Sequence, residues 1–374
     1  MPKSENGSNC AIDISLNFII GISFVAAFIR GFRMPNLWTM NYFITNYFDG
    51  FYRRSLLGTF LYPFGDLRFN YHFIVGIEAL IFILLCIVVL FVTYRANRNF
   101  KWLMILFLLA PTGGYLFHEI GYVDQLLFLV FLLAYRSKST LISNGLLLAS
   151  LFIHEMALFT IIPLYCASRV HQGVRWQNVV KTAFICLAGF GLIALFLQTS
   201  LQANIDAFLD LARSKANYIV RYDYYEIFSN LLTGQRQKIY YRNENLIELI
   251  LMLPMWVLCG LSFIKNGSDC SKKILWLCGF MACFSPILLG IFAWDTHRWV
   301  FLSLSQAMVC FYLARNTLTD NMVKAITIVF VLFIALGNLD YFDDYVPRSV
   351  NTEKSISYFF QYELKNLIKT IPGQ

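Results

Sequence analysis

The chain has 374 residues, 58% of them hydrophobic and only 14% charged, with a mean hydropathy of +0.59 and a net charge of +8. A water-soluble domain carries roughly 25% charged residues, so an ordinary soluble globule is excluded. The basic excess sits in short loops between apolar runs, where membrane topology accounts for it, and nucleic acid is excluded as a partner.

The apolar runs approach the roughly 20 residues of a membrane span. The first, 12–32, lacks a small-residue cleavage site and is followed by many more, so it reads as a transmembrane helix and not as a cleaved signal peptide. The loop 33–70, containing NLWTMNYFITNYFDGFYRRSLLGTFLYPFGDLRF, is too polar and too Pro/Gly-punctuated to span, and its aromatics predict short helices at the interface. Spans two to six follow at 71–94, 102–117, 122–135, 140–153 and 156–168. Span seven is 182–199, and a long polar segment runs over 200–245. Spans eight to eleven are 246–264, 274–293, 300–314 and 323–339. The tail 340–374 contains EKSISYFFQYELKNLIKTI, a pattern that predicts an amphipathic surface helix.

The expected fold is therefore all-α: a polytopic integral membrane protein of about eleven transmembrane helices, forming one membrane domain over 1–374. Spans three to six are short. A helix of about 14 residues rises about 21 Å, less than the roughly 30 Å hydrocarbon core. Their connections at 118–121 and 154–155 are expected below the surface, where irregular backbone must be buried or line a wet cavity. A single long helix over 141–168 is the alternative, with His154 and Glu155 midway along it.

Short basic loops carry Arg95, Arg98 and Lys101, then Arg136 and Lys138, then Arg169, Arg175 and Lys181, then Lys265, Lys272 and Lys273, then Arg315 and Lys324. The positive-inside rule puts these in the cytoplasm. The N-terminus is then inside, and the loops 33–70 and 200–245 and the tail 340–374 are outside. No cysteine falls in a predicted external loop and no CxxC occurs, which argues against a disulfide framework or a Cys-based zinc site. No metal or cofactor is expected.

Ionisable groups at membrane depth are costly and usually face a cavity or a partner. His154-Glu155 lies within LLLASLFIHEMALFTIIPLY, where nothing else is charged. It is not the HExxH of zinc proteases, because position 158 is Leu. The functional reading makes Glu155 a general base, tuned upward by burial, with His154 orienting it. The structural reading is a pair capping helix ends. His118-Glu119, with Asp124 five residues on, forms a second cluster or a solvated turn. Asp49 precedes Arg53 and Arg54, whose forks suit a phosphate or a lipid headgroup. Asp295, His297 and Arg298 lie between Trp294 and Trp299, as a second phosphate site or as an aromatic-belt loop. Glu78, in the outer half of span two, joins this pocket or pairs locally. The 200–245 segment mixes arginines, Arg221 among them, with many tyrosines, a composition suited to sugar rings and their phosphates. Together these groups predict an outward-facing polar pocket.

An aromatic polytopic chain with one long Arg/Tyr-rich external loop resembles the bacterial O-antigen polymerases (Wzy type). It also resembles the wider GT-C class of membrane glycosyltransferases, in which an acidic residue of the first external loop serves catalysis; Asp49 occupies that kind of position. The Arg-x10-Gly signature of some polymerases is absent, since twelve residues separate Arg221 from Gly234, and Asp49 is followed by Gly50 where the class pairs two acids. The resemblance implies sugar transfer from a polyprenyl phosphate or diphosphate on the outer face of a bacterial inner membrane. Glu155 or Asp49 would act as base, and arginines would bind the departing phosphate. Membrane lipid and the envelope-assembly machinery are the implied partners. The alternative is a transporter or flippase for a lipid-linked or anionic solute.

Overall fold

The computed structural model describes residues 5–35, 37–50, 53–118, 120–196, 202–218, 220, 245–264, 271–291, 295–337, 339, 341–343 and 346–348. Their regular secondary structure is helical, apart from one antiparallel hairpin of Tyr341–Asp343 with Val346–Arg348. The predicted tail helix lies outside the described residues.

Each predicted span is a helix or a pair of helices. They are α1 (Glu5–Gly31), α4 (Tyr71–Tyr94), α5 (Arg98–Leu109) with α6 (Pro111–His118), α7 (Asp124–Arg136), α8 (Thr140–Ile153), α9 (Ile161–His171), α10 (Trp176–Phe196), α12 (Leu246–Ile264), α13 (Lys272–Phe284), α14 (Thr296–Leu313) and α15 (Asp320–Leu336). Five segments are long and apolar enough to cross a membrane: Ile12–Gly31, Tyr71–Tyr94, Trp176–Ala194, Leu246–Ile264 and Lys272–Ile291. A sixth is reached if α5 and α6 count together. The remaining helices are shorter or more polar.

Local chemistry explains the helix ends. Asn70, Asn97 and Ser139 each accept a hydrogen bond from the backbone N–H three residues on, capping α4, α5 and α8. Ala110 is extended (ψ 165°) because it precedes Pro111, and α5 and α6 bend by 71° at that point. The carbonyls freed there are covered by the Arg30 guanidinium, which donates to Leu109 O at 2.8 Å and Leu108 O at 2.9 Å. Gly31 and Gly114 allow α1 and α6 to touch, since a Cβ on Gly31 would lie 1.7 Å from the Gly114 carbonyl oxygen.

The alternative of one helix across 141–168 does not occur. His154 adopts extended geometry (φ −161°, ψ 129°), a 3₁₀ turn follows over Glu155–Leu158, and α9 starts afresh after Thr160. The His154 ring forms its own cap, with Nδ1 accepting from Met156 N at 3.1 Å.

The loop 33–70 contains α2 (Asn41–Ile44), α3 (Leu56–Leu61) and a 3₁₀ segment, Tyr62–Phe69. All of α2 is buried, whereas Phe60, Phe64 and Leu67 are exposed. The helix α11 (Gln202–Lys215) packs Phe208, Leu209 and Ala212 against Ile44 and Phe69. Lys215 pairs with Asp66 at 2.6 Å, and Asn217 Oδ1 accepts from Tyr71 N at 2.8 Å.

Besides Arg30 at the α5–α6 bend and Trp256 Nε1 donating to Ser303 Oγ, two groups of polar contacts between distant segments lie at opposite ends of the helices. At one end Arg98 and Lys101 meet Asp13, Asn97 donates to Arg315 O, and the His171 ring meets Leu313 O. At the other end lie the contacts of Arg53, Arg54 and Arg298. Between them an aromatic core packs Phe24, Phe28 and Phe82 edge-on to Phe117.

Candidate functional site

Three chain segments meet at the break between α8 and α9. The first loop contributes Arg53 and Arg54. Arg54 has a positive φ of 61°, which only a few per cent of non-glycine residues adopt and which often marks functional sites. That turn points both guanidinium groups at Glu155. Arg54 Nε donates to Glu155 Oε1 at 3.1 Å and Oε2 at 2.9 Å, Arg54 Nη2 donates to Oε1 as well, and Arg53 Nη1 lies 3.3 Å from Oε1.

The pairing reverses the electrostatics expected of Glu155. Burial pushes its carboxyl upward, but Arg54 and Arg53 outweigh burial and hold it well below the usual carboxylate range. The expectation of an upward-tuned base is therefore corrected: Glu155 is a fixed anion between two cations. His154 is neutral for two reasons. Burial, reinforced by Arg54, holds its imidazole well below its ordinary value, and Nδ1 already accepts a backbone hydrogen bond. Its approach to Glu155, 3.5 Å from Nδ1 to Oε2, is thus no salt bridge.

A second group adjoins the first through Met156. Arg298, near the start of α14, donates from Nε to Asp124 Oδ2 at 2.7 Å and from Nη1 to Asp295 Oδ2 at 3.3 Å. Its Nη2 lies 3.7 Å from Met156 Sδ. The guanidinium stacks 4.3 Å above the Tyr122 ring, so its flat faces are apolar and its edge is polar. Burial raises the Asp295 carboxyl above its ordinary range, partly offset by Arg298.

Tyr42, which no sequence motif marks, belongs here. It is 1% exposed on α2, and its ring lies 5.7 Å from the His154 ring. Burial holds its phenol above the usual value, while Arg54 and Arg298 both pull it down, so the phenol lies within the field of both arginine groups.

The other expected residues take different places. Asp49 is held by Asn46 and lies 3.7 Å from Arg68. His297 bonds to Asn245 at 2.9 Å, tying the start of α14 to the start of α12. His118 is buried at the end of α6, with its ring 5.7 Å from that of Tyr115. Glu119 and Arg221 lie outside the described residues. Among the described residues, no group of three or more His, Cys, Asp or Glu side chains is placed to hold a metal ion.

The fold thus defines an all-helical protein with several membrane-length apolar helices and a buried arginine–carboxylate cluster at one end of them. No protein family, curated protein or solved structure proves similar to the chain.

Proposed function

We propose that the chain is a polytopic membrane glycosyltransferase or polysaccharide polymerase of about eleven spans, taking its sugar from a polyprenyl phosphate or diphosphate. In this reading it resides in a bacterial inner membrane, with its N-terminus in the cytoplasm and its C-terminus outside, and the arginine cluster opens to the outer face. The division of polar contacts into two ends supports this sidedness, because it matches the alternation that the basic loops predict.

One observation carries the chemistry: Arg53, Arg54 and Arg298 are gathered by Glu155, Asp124 and Asp295 into one buried group. Guanidinium forks match phosphate oxygens in pairs. A phosphate leaving group would exchange with the carboxylates for the same N–H donors. Fixed cations aimed at a developing anion stabilise a transition state without reorganising. The carboxylates keep the arginines in place until the substrate arrives. A lipid-linked donor already carries its leaving group, so no nucleotide is needed at that face. Clustering at one end favours transfer over transport, which calls for groups lining a path from both faces.

The test is alanine substitution at Arg54, Arg298, Glu155 and Asp49, with envelope glycans resolved by electrophoresis. Loss of glycan with build-up of lipid-linked precursor on the outer leaflet is expected. Precursor trapped on the inner leaflet would select the transporter. Unchanged glycans at normal protein levels would reject both.

A further inference from the structure

The carboxylates of the cluster are each tied to a cation: Glu155 to Arg53 and Arg54, and Asp124 and Asp295 to Arg298. Asp49 and Asp66, nearby, face Arg68 and Lys215. Glu78 differs. It sits two turns into α4, 2% exposed, and no ion pair reaches it among the described residues. Among the described residues neither carboxylate oxygen accepts a hydrogen bond of ordinary geometry, and the Thr39 side chain acts on the carboxyl. A buried carboxyl with so little compensation is costly and calls for an explanation.

The space around Glu78 supplies one. A cavity of about 10 Å3, the room of about one water molecule, is walled mainly by apolar side chains such as Phe43 and Leu57, with Glu78, Gly121, Tyr122 and Gln125 as its polar side. Gly121 has φ +94°, and a Cβ there would lie 2.8 Å from Glu78 Oε2, so a glycine keeps the carboxyl's place clear. Tyr122 forms a wall of this cavity and is also the ring beneath the Arg298 guanidinium. Gln125 follows Asp124, the partner of Arg298. The cavity and the arginine cluster therefore share a wall one side chain thick. The buried phenol of Tyr218 lies close enough to feel the Glu78 carboxyl.

We propose that Glu78 is the proton acceptor of the site, reached through the water-sized cavity beside Tyr122. This inference rests on the transferase reading above. In the transfer step the acceptor hydroxyl oxygen bonds to the anomeric carbon as the bond from that carbon to the phosphate oxygen breaks. The electron pair leaves on the phosphate, toward the arginines. The hydroxyl proton passes to the cavity water, and that water gives a proton to a Glu78 carboxylate oxygen. Glu155 suits this step less well, because the arginines that hold it ionised also make it a weak base, and Asp124 is taken up by the Arg298 guanidinium.

The experiment uses the full chain in native membranes. Glu78→Gln keeps the shape of the side chain and removes its basicity. It should lower glycan formation by about 100-fold or more, the usual contribution of a general base, while the lipid-linked donor still binds. A hydrophobic carbodiimide, which adds to protonated carboxyls in apolar surroundings, should label Glu78 but not Glu155, as mapped by mass spectrometry. Labelling should fall and turnover rise with pH over one shared interval. Gly121→Ala, which crowds Oε2, should weaken both. If Arg54→Ala and Arg298→Ala abolish transfer but Glu78→Gln turns over like the wild type, the proton-acceptor role is overturned and the transferase reading stands. If the arginine variants also keep normal glycans, the transferase reading itself fails. Carbodiimide labelling of Glu78 that ignores pH overturns the inference by itself.

Discussion

Arg54 and Glu155, 101 residues apart in sequence, form a two-pronged ion pair, with Arg54 Nε 2.9 Å from Oε2 and Arg54 Nη2 also on the carboxylate. Glu155 is buried and the Arg54 side chain is only 14% exposed, so water compensates little of either charge. The pair joins the first loop to the helix break at His154.

Breaking this pair should be costly. Arg54→Ala leaves Glu155 with Arg53 alone, and loss of one partner of a buried pair typically costs about 3–5 kcal/mol. Arg54→Ala with Glu155→Ala should cost less than the sum of the single changes, because no charge is then stranded. Thermal unfolding of all three variants in detergent measures the coupling. Additive losses would mean that the two side chains do not share an interaction.

Stability should fall on mild acidification, and His154 should be the cause. Its imidazole is held neutral in the fold, with its titration below the ordinary value, whereas the unfolded chain takes up the proton near pH 6.5. Stability is therefore full above that pH and is lost as pH falls toward the folded value. Glu155 works lower: its folded value is below the usual carboxylate range, so its contribution is full above the unfolded carboxyl value of about pH 4.3 and is lost as the pH falls from there through the depressed value. His154→Asn should flatten the slope between about pH 7 and 5 in thermal melts. A slope unchanged in that variant would assign it to another group.

Arg298→Lys keeps the charge but loses the fork that holds Asp124 and Asp295 together and the flat stack on Tyr122. A lost charge-assisted hydrogen bond is worth about 1.5–3 kcal/mol. Melting temperature should drop and glycan output should fall, even with the charge conserved. A lysine variant equal to the wild type in both would show that charge alone suffices.

Gly31→Ala should disrupt the contact of α1 with α6, because the new methyl would sit 1.7 Å from a backbone oxygen that cannot move aside cheaply. The expected cost is about 1–3 kcal/mol or more. Gly76→Ala is the control, since a Cβ there meets nothing within 4 Å. Equal melting temperatures for the two variants would contradict the close approach.

Much of the fold was legible because hydropathy is local. Tyr71–Tyr94 is apolar over nearly its whole length, Glu78 being its one acid, and its Asn70 cap and the basic residues beyond it mark its limits. The break at His154 was less so: the apolar pattern of 141–168 continues through it and allows either one helix or two. What ends the first helix is a ring nitrogen accepting the Met156 N–H, a bond that composition does not show. The α5–α6 bend had a proline to announce it, but not Arg30, 78 residues away from the Leu108 carbonyl it covers.

The candidate site divides along the same line. That Arg53, Arg54, Glu155 and Arg298 have no business in apolar surroundings unless something answers them could be read from residue types and their neighbours. Which group answers which could not, and the sign of the Glu155 shift follows from that alone: burial by itself raises a carboxyl, and two guanidinium groups across a buried contact lower it. Tyr42 is one of 21 tyrosines in the chain and Glu78 one acid among 22 Asp and Glu residues. Short-range apolar periodicity and capping are enough to set the helices. Which charges meet is a matter of packing, because electrostatic energy depends on distance through space, and packing sets the distances between remote segments.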